Sequence, residues 1–324
     1  MAPAFDRVLN AAPTPLLLLT SVLCSAAIVR ANRAVFDSAI VGPWTLAAIH
    51  YIFLGAVLGA LQACGQCTPS SAPIPFMTRL AMAGVALLAN VASNFSLKTN
   101  TIPTYQLFKL LVIPAQVAIY NRVFGQRYAT STLFALLLIM CGVYLATGST
   151  FDGNPTGLAV GLTSIVIVSI DTVGNGEAKR IYGLSSFQFN AATTWLRAVL
   201  CIALAVALEF KNTLAVIDTD LFANNPHFLK SLLLSCVAAV GVNIVAVAII
   251  GRVSAVGYSV LGHCKTLLIL VSGGLSFLDT TKVIGIFLAL IGSALYAEKN
   301  RKKRKHSNSN SNSNMNMTMN LKTE

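Results

Sequence analysis

Charge is what this chain has least of. Only 10 % of its 324 residues are Asp, Glu, Lys or Arg, and 11 of them are acidic. A soluble chain carries about a quarter charged residues, so this one has too few to coat a water-facing surface. Catalytic signatures are missing too. There is no H-E-x-x-H, no G-x-S-x-G, no P-loop and no carboxylate pair within an apolar run. These absences speak against an enzyme, and no cofactor is expected. Seven cysteines are present, most of them inside apolar runs. Cys64 and Cys67 form a single C-x-x-C in a short loop. Zinc takes four ligands, so this pair is read as two reduced thiols and no metal is expected.

What is abundant is apolar sequence, 55 % of the chain. It falls into ten stretches of spanning length, about 20 residues each. They run near 14–36, 41–64, 77–98, 103–123, 127–148, 155–177, 187–210, 228–251, 253–277 and 282–297. The expected fold is therefore an all-α membrane protein of ten transmembrane helices, with the lipid bilayer as its solvent. Three segments follow. Residues 1–13 form an N-terminal cytosolic segment, and 14–298 the ten-helix domain, with halves of about 14–150 and 151–298. Residues 299–324 form a basic, then Ser/Asn-rich tail with nothing to bury, expected to be disordered.

The net charge of +12 would suit nucleic acid until the charges are placed. Much of it lies in Arg301-Lys302-Lys303-Arg304-Lys305, and most of the rest flanks apolar runs. A terminal basic run is read as a topology anchor at the cytosolic leaflet, and no nucleic-acid partner is expected. With the N-terminus in the cytosol, Arg7, Arg79, Arg122, Arg127, Lys179, Arg180, Arg252 and the tail share one side. The other side holds Asp37, Asp152, Glu209, Asp218, Asp220 and Asp279. That is the positive-inside pattern, with both termini cytosolic. The first run, Leu16 to Val29, lacks a small-residue cleavage site and is followed at once by Arg30 and Arg33. It reads as an uncleaved signal anchor, and no transit peptide fits ahead of it.

Regions 94–148 and 243–297 are loosely alike. Each opens on an Asn-containing helix and has a Tyr followed by an intramembrane Lys. Each then ends in an apolar helix with a late glycine, Gly142 and Gly292. An odd number of spans per repeat makes the halves antiparallel, giving two inverted five-helix repeats with a site near the midplane.

Ionisable groups inside spans cost roughly 2.5–3.5 kcal/mol each on insertion scales. The chain keeps Arg30, Arg33, Lys109, Arg197 and Lys265, against a single comparable acid, Asp171. An anionic ligand in a water-filled cavity would balance the surplus. Arg30 and Arg33 lie near a helix end, where snorkelling to the interface is the competing reading. Arg197 can pair with Asp171 or with backbone carbonyls. Lys109 and Lys265 sit deeper. Tyr105 precedes Lys109 by four residues and Tyr258 precedes Lys265 by seven, spacings that keep each Tyr and Lys on one helix face. Two ammonium groups suit a diphosphate, and a Tyr ring suits a base or sugar. Asn32, Asn94, Gln106 and Asn243 either tie helices together or face the cavity. His50 fits interhelical bonding. His263, two before Lys265, faces a neighbour helix or the cavity.

These residues carry a resemblance. Asn94-Phe95-Ser96-Leu97, Tyr105-Gln106-Leu107-Phe108-Lys109-Leu110 and Ile113-Pro114 resemble the triose-phosphate translocator/nucleotide-sugar transporter family. So do Ile250-Gly251-Arg252-Val253-Ser254-Ala255 and Val260-Leu261-Gly262-His263-Cys264-Lys265-Thr266. Val283-Ile284-Gly285-Ile286, Ala289-Leu290-Ile291-Gly292 and Leu295-Tyr296 complete the pattern, which covers about residues 15–298. Ala31-Asn32-Arg33 is similar to the family's Asn-Lys, with Arg33 in place of Lys. The resemblance implies the drug/metabolite transporter fold and alternating exchange. Lys265-Thr266, where plastid phosphate carriers have Lys-Arg, looks like the UDP-xylose, UDP-galactose and UDP-rhamnose group.

The expected activity is exchange of a cytosolic UDP-sugar for a luminal nucleoside monophosphate across the Golgi or endoplasmic reticulum membrane. The expected binding residues are Lys109, Lys265, Tyr105, Tyr258, Asn243, His263, Thr266, Asn32 and Arg33. The alternatives are a carrier of phosphorylated C3–C6 metabolites and a non-transporting receptor or scaffold. The sequence leaves the sugar and the oligomeric state open.

Overall fold

The computed structural model describes residues 12–66, 74–147, 154–184, 186–215, 224–250, 280–281, 283–296 and 298. Among them are helices α1 (Thr14–Asp37), α2 (Pro43–Ala63), α3 (Phe76–Thr99), α4 (Ile102–Phe124), α5 (Thr130–Thr147), α6 (Pro155–Ile181) and α7 (Ser186–Leu208). The short α8 (Phe210–Ala215), α9 (Pro226–Ile250) and α10 (Val283–Tyr296) follow, and the described residues contain no strand. Seven of these helices are long and apolar enough to cross a bilayer, and the apolar parts of α5 and α10 are shorter. The expected span 253–277 lies outside the described residues.

Local chemistry sets the helix ends. A proline occupies one of the first two positions of α1, α2, α4 and α6, where its missing N–H costs nothing. Asn154 caps α6 by accepting from the Thr156 N–H at 3.1 Å. The α4 helix ends at Gly125 with φ 63°, a left-handed turn that glycine takes without strain. Pro114 inside α4 removes the N–H that would bond the carbonyl of residue 110, softening the turn next to Lys109.

Contacts between helix ends place the ends of α1, α3 and α7 beside the starts of α2 and α6. Arg33 near the end of α1 reaches the end of α3, bonding Leu97 O and Asn100 O at 3.2 and 2.8 Å. The Asn100 amide in turn donates to Gly157 O at the start of α6. Glu209, past the end of α7, accepts from the Trp44 and Thr45 N–H groups at the start of α2. At the other end, Tyr182 meets Thr78, and Met82, Leu184 and Phe189 pack together. Arg79 and Arg180 flank these contacts.

The buried cores lie between α1, α2, α3, α4 and α9 and between α2, α3 and α7. Outward rows such as Leu162, Val166 and Ile170 on α6 are exposed, an arrangement that suits lipid as solvent. The closest-packed pairs are α1 with α9, α3 with α6 and α2 with α7. Exchanging α1 with α6, α2 with α7 and α3 with α9 maps these pairs onto one another. The same exchange carries the α3–α7 contact onto α9–α2. The α5–α10 pair behaves likewise: Gly142 lies against Gly285 and Ala289, and Gly292 against Ala135 and Ile139.

Candidate binding site

A cavity of about 420 Å³ lies between α1, α2, α3, α4, α6 and α9. That size is within the range of small-molecule sites, about 300–1,000 Å³. Lys109 is the cation on its described wall, with its Nζ 4.5 Å from the centre of the Tyr105 ring. The four-residue spacing thus brings the two side chains together, and the aromatic face supports the ammonium as a cation–π pair. Tyr105 is buried, whereas Lys109 is exposed. Gln106 and Gln116 are further lining residues on the same helix.

The polar lining from α1, α2 and α3 is uncharged and hydrogen-bonded. Asn90 donates to the Tyr51 hydroxyl at 3.0 Å, Asn94 to Asn90 Oδ1 at 3.4 Å and Asn32 to Asn94 Oδ1 at 3.4 Å. The Ser235 hydroxyl donates to Asn32 Oδ1, and His50 Nε2 lies 2.6 Å from Ser235 Oγ. Tyr51 Oη lies 3.5 Å from Ala86 O. Five of the six side chains in this set line the cavity; Ser235 is fully buried behind them. Asn90 and Asn94 share a face of α3 because they are four apart.

Behind Tyr51 stands Arg197 of α7, 5 % exposed. Its guanidinium carbon is 5.8 Å from the Tyr51 ring centre and 5.0 Å from that of Phe189, and Nη1 donates to Asn190 Oδ1 at 3.4 Å. Nε and Nη2 are buried without a hydrogen-bond partner among the described residues. Asp171 is near enough to interact electrostatically, and Asn175 donates a hydrogen bond to it. Leaving a charged donor buried and unbonded is costly, so Arg197 rests on two aromatic faces and a distant carboxylate.

Of the expected binding residues, Asn32, Tyr105, Lys109 and Asn243 line this cavity. Asn243 also donates to Ala239 O at 2.8 Å. Arg33 does not line it. Its guanidinium caps the last carbonyls of α3 and pairs with Asp37 at 2.9 Å, the placement expected of a cation at a helix C-terminus. Tyr258, His263, Lys265 and Thr266 lie outside the described residues. Tyr51, Asn90, Ser93 and Thr172 also line the cavity and were not singled out from sequence. The Asn90–Asn94 spacing is a legible signal, since two amides on one face of an apolar helix need partners. Nothing in the sequence marks Tyr51.

The model for the Triose-phosphate Transporter family matches residues 13–297. Among similar proteins, UDP-rhamnose/UDP-galactose transporter 1 of Arabidopsis thaliana is 26 % identical over 86 % of this chain and 80 % of its own length. UDP-rhamnose/UDP-galactose transporter 2 of Arabidopsis thaliana is 27 % identical, covering 87 % and 83 %. UDP-xylose transporter 2 of Arabidopsis thaliana is 28 % identical over 63 % of this chain and 58 % of its own length. A solved structure described only as a crystal structure of a protein aligns with a TM-score of 0.62 at 19 % identity. It covers 89 % of this chain and 97 % of that one, a likeness of fold.

Proposed function

The chain belongs to the Triose-phosphate Transporter family, and from that membership and the cavity we propose that it is a nucleotide-sugar antiporter. It exchanges a cytosolic UDP-sugar of the galactose, rhamnose or xylose class for luminal UMP, across the Golgi or endoplasmic reticulum membrane. The names of the relatives support the substrate class. The observation that carries the reading is the cavity's mixed lining: the Lys109 ammonium over Tyr105 on α4, together with amides and hydroxyls from α1, α2, α3 and α4. A ligand with an anionic part and a neutral, hydrogen-bonding part matches that lining.

The architecture proposed with it is ten spans in two inverted repeats within residues 14–298, with both termini cytosolic. The packing that maps onto itself when the halves are exchanged supports it, as does the gathering of Arg79 and Arg180 at one end. Lys109 and Lys265 hold the phosphates; Tyr105, Tyr258, His263, Thr266, Asn32 and Asn243 surround the remainder of the ligand. Arg33 serves the site by fixing α1 against α3. An empty cavity leaves two ammonium groups without a counter-anion as it closes, and desolvating unpaired charge is costly. The loaded carrier therefore crosses quickly and the empty one slowly.

The test is thermal protection of the purified protein, since a ligand that binds only the folded state raises the midpoint. UMP protects better than GMP, inorganic phosphate or triose phosphate. Protection by triose phosphate alone would replace the nucleotide by a phosphorylated C3–C6 metabolite. Lys109→Ala and Lys265→Ala abolish counterflow in folded protein, and Lys265→Arg is badly impaired because a planar fork does not replace a compact ammonium. Near wild-type exchange by either alanine variant would remove that lysine from the site.

A further inference from the structure

The hydrogen bonds on the cavity's uncharged wall form a circuit that begins and ends on neighbouring residues of α2, and their direction can be worked out. Asn32 Oδ1 carries no proton, so the Ser235 hydroxyl gives it its only one. Ser235 Oγ can then only accept, and His50 must donate through a protonated Nε2. The Asn32 amide donates to Asn94, Asn94 to Asn90, and Asn90 to Tyr51. Every bond points the same way, leaving α2 at His50, passing through α9, α1 and α3, and returning to α2 at Tyr51, the next residue. Arg197, packed against the Tyr51 ring, braces the Tyr51 end of the circuit.

A primary amide has two N–H donors and an oxygen with two lone pairs. The circuit uses one donor and one lone pair of each of Asn32, Asn90 and Asn94 and fixes which way each amide faces. Each keeps one N–H and one lone pair, and all three residues line the cavity. A phosphate, which only accepts, matches the spare N–H groups of such a wall but leaves its spare lone pairs unmet. The wall suits groups that donate and accept at once, and adjacent hydroxyls of a pyranose are such groups. We propose that Asn32, Asn90 and Asn94, oriented by this circuit, bind the hydroxyls of the sugar and set which sugar is carried. The proposal rests on the nucleotide-sugar reading and adds the residues that read the sugar.

A site built to bond a hydroxyl rejects an analogue lacking it much more strongly than an apolar pocket rejects a change of shape. The experiment uses full-length protein in proteoliposomes preloaded with UMP. Uptake of UDP-galactose, UDP-glucose and UDP-xylose is compared with uptake of labelled UMP, which has no sugar beyond its ribose. For Asn90→Ala and Asn94→Ala the ratio of UDP-sugar to UMP uptake falls at least about tenfold, and the preference between the galactose and glucose epimers flattens. For wild-type protein, UDP-sugars deoxygenated at one pyranose position compete at least about tenfold more weakly than their parents, a measurement that needs no variant. Variants that lower UDP-sugar and UMP uptake in equal proportion, or deoxy-sugars that compete as well as their parents, overturn the proposal. Failure of wild-type protein to take up UMP at all would instead overturn the nucleotide reading beneath it.

Discussion

Placing an alanine at Gly142 tests the packing of the helical frame with a magnitude readable from the coordinates. A Cβ there would stand 2.3 Å from Ala289 N, 2.7 Å from Gly285 O and 2.8 Å from Ala289 Cα. All three are backbone atoms, so no rotamer change relieves the clash. An ordinary contact begins near 3.4 Å, so α5 and α10 must part by roughly 1 Å. Gly292 meets Ile139 N at 2.8 Å and Ala135 O at 2.9 Å, requiring about half that movement. Overpacking of this kind costs about 1–3 kcal/mol, so Gly142→Ala is destabilised at the upper part of that range and Gly292→Ala at the lower. The double variant loses less than the sum, because separation forced by the first substitution makes room for the second. The Cβ of an alanine at Gly84 meets nothing within 4 Å, and Gly84→Ala gains up to about 1 kcal/mol of helix propensity. Thermal melts of the detergent-purified variants, read by intrinsic fluorescence, give the order Gly84→Ala, wild type, Gly292→Ala, Gly142→Ala from highest to lowest. A Gly142→Ala protein as stable as Gly84→Ala would mean that the two helices do not approach at these glycines.

Glu209→Gln lowers stability by about 1 kcal/mol, seen in the same melts, because its carboxylate accepts from the Trp44 and Thr45 N–H groups and the Thr45 hydroxyl at 2.9–3.2 Å. Gly42→Ala does at least as much damage, since its Cβ would lie 2.2 Å from the same carboxyl group; two unaffected variants would refute the cap. Exchange of UDP-sugar for UMP is insensitive to membrane potential above pH 7, where each carries about two negative charges. It becomes potential-dependent below about pH 6 as UMP gains a proton, so that an inside-positive potential speeds uptake; voltage-clamped proteoliposomes at the two pH values decide this. A C-terminal tag on sealed microsomes is digested by added protease, and a protected tag would overturn the ten-span count or the orientation.

Much of this protein is legible in local sequence. Scarcity of charge and the length of the apolar runs require a lipid-embedded helical chain, because backbone polar groups in hydrocarbon must be satisfied within the helix. The helical period alone brings Lys109 onto the Tyr105 ring. What lies between helices is another matter. Arg33 reads as an intramembrane cation for a ligand, yet it caps carbonyls of α3, because the rotation of α1 against α3 was not in the spacing. Arg197 reads as a partner of Asp171 or of backbone carbonyls; it feels the Asp171 charge and is also seated on two aromatic rings, which nothing in the spacing marks. The circuit from His50 to Tyr51 joins residues 62 and 203 positions apart and includes an unremarkable serine. Sequence periodicity fixes which residues share a face of one helix. Only the packing of distant helices decides which faces meet, and so which donors and acceptors a ligand encounters.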